Sequence, residues 1–251
     1  GAGETSFGFY SHTIDQSLRF QENDAPHLDR TFSYGGNAKT WTWSCWVKMA
    51  GPDAQKMIFS GGSSTSDLMY IQLRGDSQSN RLDITWRQGS ASTTYGMSTT
   101  REFRDPTAWM HIVWAVDTTQ ATASNRMRLY INGTEETSFS TDNRSTISQN
   151  SDLIINANSA DHSIGTYSYS PSSYFDGYMA EIHFVDGTQL DPTSFGETKA
   201  GIWIPKNYTG SHGTTGFYLP FDDSSALGDD ESANTNDWTP SGLAATDVVL
   251  D

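Results

Sequence analysis

From Trp41 to Lys48 every second side chain faces the same way. Trp41, Trp43, Cys45 and Val47 alternate with Thr42, Ser44, Trp46 and Lys48, and a period of two residues is that of a strand with one apolar face. The same period returns from Trp109 to Asp117, where Met110, Ile112, Trp114 and Val116 oppose His111, Val113 and Ala115. It returns again where Met127, Leu129 and Ile131 alternate with Arg126, Arg128 and Tyr130 up to Asn132-Gly133, a dipeptide suited to the positive φ angles of a tight hairpin turn. Further strands are predicted at Leu68 to Arg74, Leu82 to Arg87, Thr93 to Thr99, Leu153 to Ile155, Ser163 to Tyr167 and Phe175 to Val185. Ser60 to Asp67 and Gly75 to Asn80 read as loops, and the spacing suggests a meander. No Leu/Ala/Glu/Lys stretch carries a helical period. The expectation is an all-β, antiparallel two-sheet sandwich.

In Phe175 to Val185, Tyr178, Ala180, Ile182 and Phe184 are expected on one face and Met179, Glu181, His183 and Val185 on the other. Past Asp186 the pattern changes to short apolar pieces, Ile202 to Ile204 and Phe217 to Phe221, separated by Gly, Pro and Asn. Two units are therefore expected: a sandwich over residues 1–187, and a loop-rich annex over 188–251 packed on it or on a neighbouring subunit. The annex carries Trp203, Tyr208, Phe217, Tyr218 and Trp238 among turn residues. That much aromatic surface predicts a homo-oligomer or a place in a larger assembly.

Thirty acidic residues against fifteen basic ones give a formal charge of −15. Such a chain repels a phosphate backbone, so nucleic acid is not expected as a partner. Cys45 is the only cysteine, which leaves no internal disulfide and predicts a buried thiol. No apolar run reaches the roughly 20 residues of a membrane-spanning helix, and no basic region or apolar signal core opens the chain, so no membrane insertion is expected. The first residue is Gly1 rather than Met, which reads as a trimmed or excised start.

Four segments, in order, resemble laminin-G-like members of the concanavalin A-like superfamily. They are Trp43-Ser44-Cys45-Trp46-Val47-Lys48, Trp109-Met110-His111-Ile112-Val113, Arg128-Leu129-Tyr130-Ile131-Asn132-Gly133 and Phe175-Asp176-Gly177-Tyr178-Met179-Ala180-Glu181-Ile182. The resemblance implies a jelly roll. More narrowly, Ile14 to Phe20, Phe195 to Thr198, Gly201 to Lys206, and Asn236 to Thr239 with Ser241-Gly242-Leu243 resemble laminin-G-like structural proteins of marine tailed bacteriophages. That implies a non-enzymatic virion component, in a fibre, tail or capsid decoration, contacting a host-surface glycan or other virion proteins. The alternative expectation is an extracellular carbohydrate-binding module secreted by a microbe.

A third class, glycoside hydrolase, is disfavoured by the carboxylates. Glu181-Ile182-His183-Phe184-Val185-Asp186 is the segment most like a sandwich-hydrolase strand, but retaining hydrolysis needs two carboxyls about 5 Å apart, and positions 181 and 186 differ in parity. Ser44, His111 and an aspartate supply the residue types of a triad without the Gly-x-Ser-x-Gly elbow that would support one. For sugar stacking, Tyr167, Tyr169 and Tyr174 in a Ser/Pro/Tyr-rich loop and Trp86 near another loop are the candidates. Trp43, Trp109 and Trp114 are read as core. Asp222, Asp229, Asp230, Asn234 and Asn236, carboxylates and amides crowding one acidic loop, read either as a solvated acidic loop or as the ligands of a structural Ca2+, with no other cofactor expected.

Overall fold

The computed structural model describes residues 9–51, 55–75, 80–90 and 92–250. Residues 76–79 of the expected Gly75 to Asn80 loop lie outside them. Eighteen strands follow in chain order: β1 Gln16–Phe20, β2 His27–Thr31, β3 Thr40–Met49, β4 Gln55–Gly61, β5 Leu68–Arg74, β6 Arg81–Arg87, β7 Tyr95–Glu102, β8 Met110–Asp117 and β9 Met127–Ile131. They continue as β10 Thr134–Glu135, β11 Phe139–Asp142, β12 Asp161–Ile164, β13 Gly177–Asp186, β14 Gly196–Lys199, β15 Ile202–Pro205, β16 Phe217–Leu219, β17 Thr239–Ser241 and β18 Val248–Leu250. The first large sheet runs β10-β9-β8-β3-β13-β1-β18, with β16 also paired to β13. The second runs β11-β7-β6-β5-β4-β12-β2-β17, and every strand pair is antiparallel. This is the expected two-sheet jelly-roll sandwich, and β5-β6-β7 form the expected meander. Among the described residues no helix is long and apolar enough to cross a membrane.

The alternating strands bury the sets read from sequence. Trp41, Trp43, Cys45 and Val47 of β3, Ile112, Trp114 and Val116 of β8, and Met127, Leu129 and Ile131 of β9 meet Met69, Ile71, Leu82 and Ile84 of the second sheet in one core. The Cys45 thiol is free and buried, and burial pushes its pKa well up. Asn132 and Gly133 take the positive φ angles of the predicted hairpin turn, 48° and 78°. Glycine has a second reason at 133: a Cβ there would fall 2.4 Å from the Trp203 ring.

Three expectations are corrected. Leu153 to Ile155 is a loop rather than a strand, although Leu153 and Ile155 are buried in the core. In β13 the facing is not a simple alternation: the register against β3 shifts between Ala180 and His183, where Glu181 sits at φ 48°. This bulge lets Met179, Ile182 and Phe184 all reach the core while Glu181 and His183 point away from it. The aromatic residues after position 187 do not form an exposed surface. Phe217 and Trp238 are core residues in edge-to-face contact at 4.9 Å, and Trp203, Tyr208 and Tyr218 are half-buried. The segment is loop-rich: β14 and β15 pair with each other as a hairpin, while β16 joins β13, β17 joins β2 and β18 joins β1.

Candidate functional site

The outer face of the first sheet carries Ser44 and Trp46 from β3, His111 and Val113 from β8, and His183 and Val185 from β13. Leu190, Phe195, Trp203 and Tyr208 pack on it. Leu190, Phe195 and Tyr208 cover Val113, Ala115, Tyr130 and Val185 in a second apolar cluster. Beside it, Trp203 Nε1 donates to His111 Nδ1 at 3.0 Å, so the His111 proton sits on Nε2 and donates to Ser44 Oγ at 2.8 Å. Burial, with His183 nearby, holds the His111 pKa down to about 3, and the ring is neutral at physiological pH. Ser44 and His111 thus touch as in a catalytic pair, but the polarity is reversed. The imidazole donates a hydrogen bond to the serine oxygen, an indole occupies the place of the orienting carboxylate, and both residues are buried.

Glu181 is the hub of an adjoining network. Tyr218 Oη donates to its Oε1 at 2.8 Å, His12 Nε2 bonds its Oε2 at 3.0 Å, and His183 Nε2 stands 3.7 Å away. His183 is stacked on Tyr218 at 4.2 Å and shares a hydrogen bond with His212 at 3.1 Å. Asp186 points to the opposite side of β13, where its carboxylate accepts from Asn37 N, Asn156 Nδ2 and Thr214 N. The two carboxylates read from sequence therefore serve separate structural networks on opposite faces.

His12 belongs to a strap, residues 9–15, that enters β1 across this face. The strap, the sheet and the end of β15 form a cleft of about 400 Å³ lined by Tyr10, His12, Thr13, Ile14, Asp15, Trp46, Trp109 and Pro205. Trp46 is stacked on His111 at 4.8 Å, which fixes the ring, while Tyr10 is 53% exposed. Trp109 is half-buried and lines the cleft, a correction to its reading as core. Trp46 itself is only 7% exposed, so Tyr10 and Trp109 are the rings open to an apolar sugar face, with a carboxylate, an imidazole and a hydroxyl beside them to orient its hydroxyls. Sequence reasoning missed this site because its walls come from four distant segments. The available signal was Trp46, a tryptophan on the polar side of β3.

The hydrogen bond with Glu181, aided by the negative charges of Glu181 and Asp15, raises the His12 pKa against the opposing effect of burial. A raised histidine stabilises fully below its unfolded value and loses that contribution as pH rises through the folded one. Amide protection factors in residues 9–15 are therefore expected to fall as pH rises from the unfolded histidine value of 6.5 through the raised folded one. Unchanged protection over that interval would show that the pair does not hold the strap. The other groups facing His12 from the sheet, His183 and Tyr218, stay neutral through this range: burial lowers the first pKa and raises the second.

The residues read from sequence for sugar binding lie on the second sheet. Tyr167 packs edge-to-face on Tyr70 at 5.0 Å with Met57 and Leu68, and Tyr169 is its neighbour at 6.2 Å. Tyr174 packs instead against His27 at 5.8 Å. Trp86 is 3% exposed in the sandwich core and has no face to offer a sugar, which corrects its reading as a binding residue.

The acidic loop is knit by internal hydrogen bonds. Asp230 accepts from the backbone N–H groups of Tyr218, Ser232 and Asn236 and from Ser232 Oγ. Asn234 donates to Gly213 O and Gly216 O, and Asn236 donates to Thr214 O and Gly216 O. Asp222 and Asp229 are exposed. Among the described residues no three His, Cys, Asp or Glu side chains gather as a metal-holding group. Asp230, Asn234 and Asn236 are engaged by these hydrogen bonds, within the loop and to residues 213–216.

A family model described as the concanavalin A-like lectin/glucanases superfamily matches residues 23–192 of the 251. No curated protein matches the chain. Among solved structures, a protein from Bacteroides ovatus provisionally described as carbohydrate-binding aligns with TM-score 0.56 at 12% identity, over 92% of this chain and 58% of that one. NanB sialidase from Streptococcus pneumoniae aligns with TM-score 0.50 at 15% identity, over 73% of this chain and 29% of that one. A heptameric SAP-like pentraxin from Limulus polyphemus gives TM-score 0.48 at 17% identity, over 72% and 80%. At these identities the likeness is one of fold, and the chain spans little more than half of the first protein and under a third of the second.

Proposed function

The chain belongs to the concanavalin A-like lectin/glucanase superfamily, and we propose that it is a non-catalytic glycan-binding module whose site is the cleft between Tyr10, Trp46 and Trp109. The observation that carries this reading is the convergence of those rings with Asp15 and His12 in one preformed cleft of about 400 Å³, within the size range of small-ligand sites. The Bacteroides protein's description as carbohydrate-binding supports the same class. The absence of turnover follows from the chemistry of the nearest reactive groups. Glu181 is committed to His12 and Tyr218, and His111 donates to Ser44 rather than accepting from it.

On a glycan array the protein is expected to bind a restricted set of structures, and Trp109→Ala to weaken that binding at least about tenfold, the loss of a stacking ring being worth about 1.4 kcal/mol or more. Hydrolysis of any bound glycan, or binding indifferent to Trp109→Ala, would contradict the reading.

The resemblance of Gly201 to Lys206 and Asn236 to Leu243 to phage structural proteins supports placing this module on a virion, in a fibre, tail or capsid decoration that attaches to host-surface glycans. Immunogold labelling of particles with an antibody to the chain tests that placement. The other setting, a secreted microbial carbohydrate-binding module, draws on the Bacteroides alignment, which covers 92% of the chain. Labelling of secreted protein with unlabelled particles would favour it.

A further inference from the structure

Trp109 lines a second cleft as well as the first. This cleft, about 220 Å³, opens at the end of the sandwich where β3, β5, β7 and β8 start or stop. Its floor is apolar, formed by Met49, Leu73, Phe103 and Met110, and its rim carries Arg101 and Arg104. The two clefts differ in charge. Among the described residues the first presents Asp15 and His12 and no arginine or lysine, while the second holds two of the chain's fifteen basic residues, Arg101 and Arg104, alongside Glu102 and Asp105.

The rim groups are not equivalent. Asp105 accepts from Thr107 N and Oγ1 at 2.8 and 2.6 Å and is tied into its own turn. Arg104 pairs with Glu102 across an exposed surface, where such a pair contributes little and is readily exchanged. Arg101 lies over the Phe103 ring at 5.1 Å, and among the described residues it makes no ion pair. A guanidinium braced on an aromatic face offers planar paired donors, the geometry that recognises carboxylate and sulfate.

Resting on the glycan-binding reading, we propose that the two clefts are consecutive subsites of one groove divided by Trp109, and that the second takes a sugar residue bearing a carboxylate or sulfate. A chain with a charge of −15 repels anionic glycans at long range. Selection of an anionic residue therefore depends on contact with Arg101 and Arg104 rather than on the overall field. A glycan bound this way places a neutral ring between Tyr10 and Trp109 and carries its acidic neighbour over the Trp109 edge.

The test uses an array of matched neutral, uronate-bearing and sulfated oligosaccharides, read with the wild-type chain, Arg101→Gln, Arg104→Gln and the double variant. Both arginines are exposed, so the variants are expected to melt with wild type. Bound structures should be enriched in one or both anionic classes, and those signals should fall at least about tenfold in the double variant while neutral ligands keep their affinity. The uronate and sulfate arms identify the anion. Anionic binding untouched by the double variant, or neutral glycans bound as tightly as their anionic counterparts, would overturn the second subsite and leave the first standing. Binding of no glycan at all would reject the glycan reading itself and this subsite with it.

Discussion

Asp230→Ala is expected to lower the unfolding free energy by about 3 kcal/mol or more, since it strips the acceptor from three backbone N–H groups, each unpaired buried donor costing about 1–3 kcal/mol. The carboxylate is 6% exposed and holds Tyr218 N at 2.8 Å, Ser232 N at 2.9 Å and Asn236 N at 2.7 Å. It thereby ties the loop after β16 to the strand itself. In a domain of this size the melting temperature should drop by about 6–12 °C. Asp222→Ala, at an exposed position, should stay within about 0.5 kcal/mol of wild type. The same drop in excess EDTA and in millimolar calcium is expected, because the lost partners are backbone amides. A calcium-dependent rise in the wild-type melting temperature that Asp230→Ala abolishes would instead restore the ion read from sequence.

Glu181→Gln is expected to produce the second large effect, on stability and binding together. Burial alone would raise this carboxyl above the 4.5 of a free glutamate, but the donors His12 and Tyr218, with His183 alongside, outweigh it and hold the pKa down to about 2. A depressed carboxyl stabilises the fold above its unfolded pKa and loses that contribution as pH falls through the folded value. The window is therefore pH 4.5 down to about 2, and the contribution lost across it is about 3 kcal/mol. Glutamine keeps an acceptor for Tyr218 but has no charge to pair with His12. The variant should lose about 2–3 kcal/mol at neutral pH and show a flatter acid limb in its stability curve. Its glycan affinity should also fall, because the strap carrying Tyr10 and Asp15 loses its anchor. A variant with wild-type acid denaturation would remove Glu181 from its role as hub.

What was legible in the sequence was whatever repeats locally. β3, β8 and β9 follow from alternation, β5 and β6 from short strand-forming runs between Gly/Ser/Asp loops, and the hairpin after β9 from Asn132-Gly133. β4 was missed because Met57, Ile58 and Phe59 are apolar in succession around a register shift, and such a run has no period to read. The β13 bulge was missed because its positive φ falls on Glu181, a residue type that gives no warning of it. β17 and β18 are three-residue edge strands, set by the partners β2 and β1 rather than by their own sequence. Glu181 and Asp186 face opposite sides, as their parity implies, because the bulge ends at Glu181 and the strand is regular from Ile182 onward. The cleft was illegible for a topological reason: residues 10–15, 46, 109 and 205 meet only after the strap and the β15 end cross the first sheet.

The most direct measurement is a crystal structure of the chain with the tightest ligand from the array. The account predicts a sugar ring seated between Trp109 and Tyr10, its hydroxyls within hydrogen-bond reach of Asp15 and His12. Sugar density over Tyr167 and Tyr169 on the second sheet, with the Tyr10 cleft empty, would contradict it.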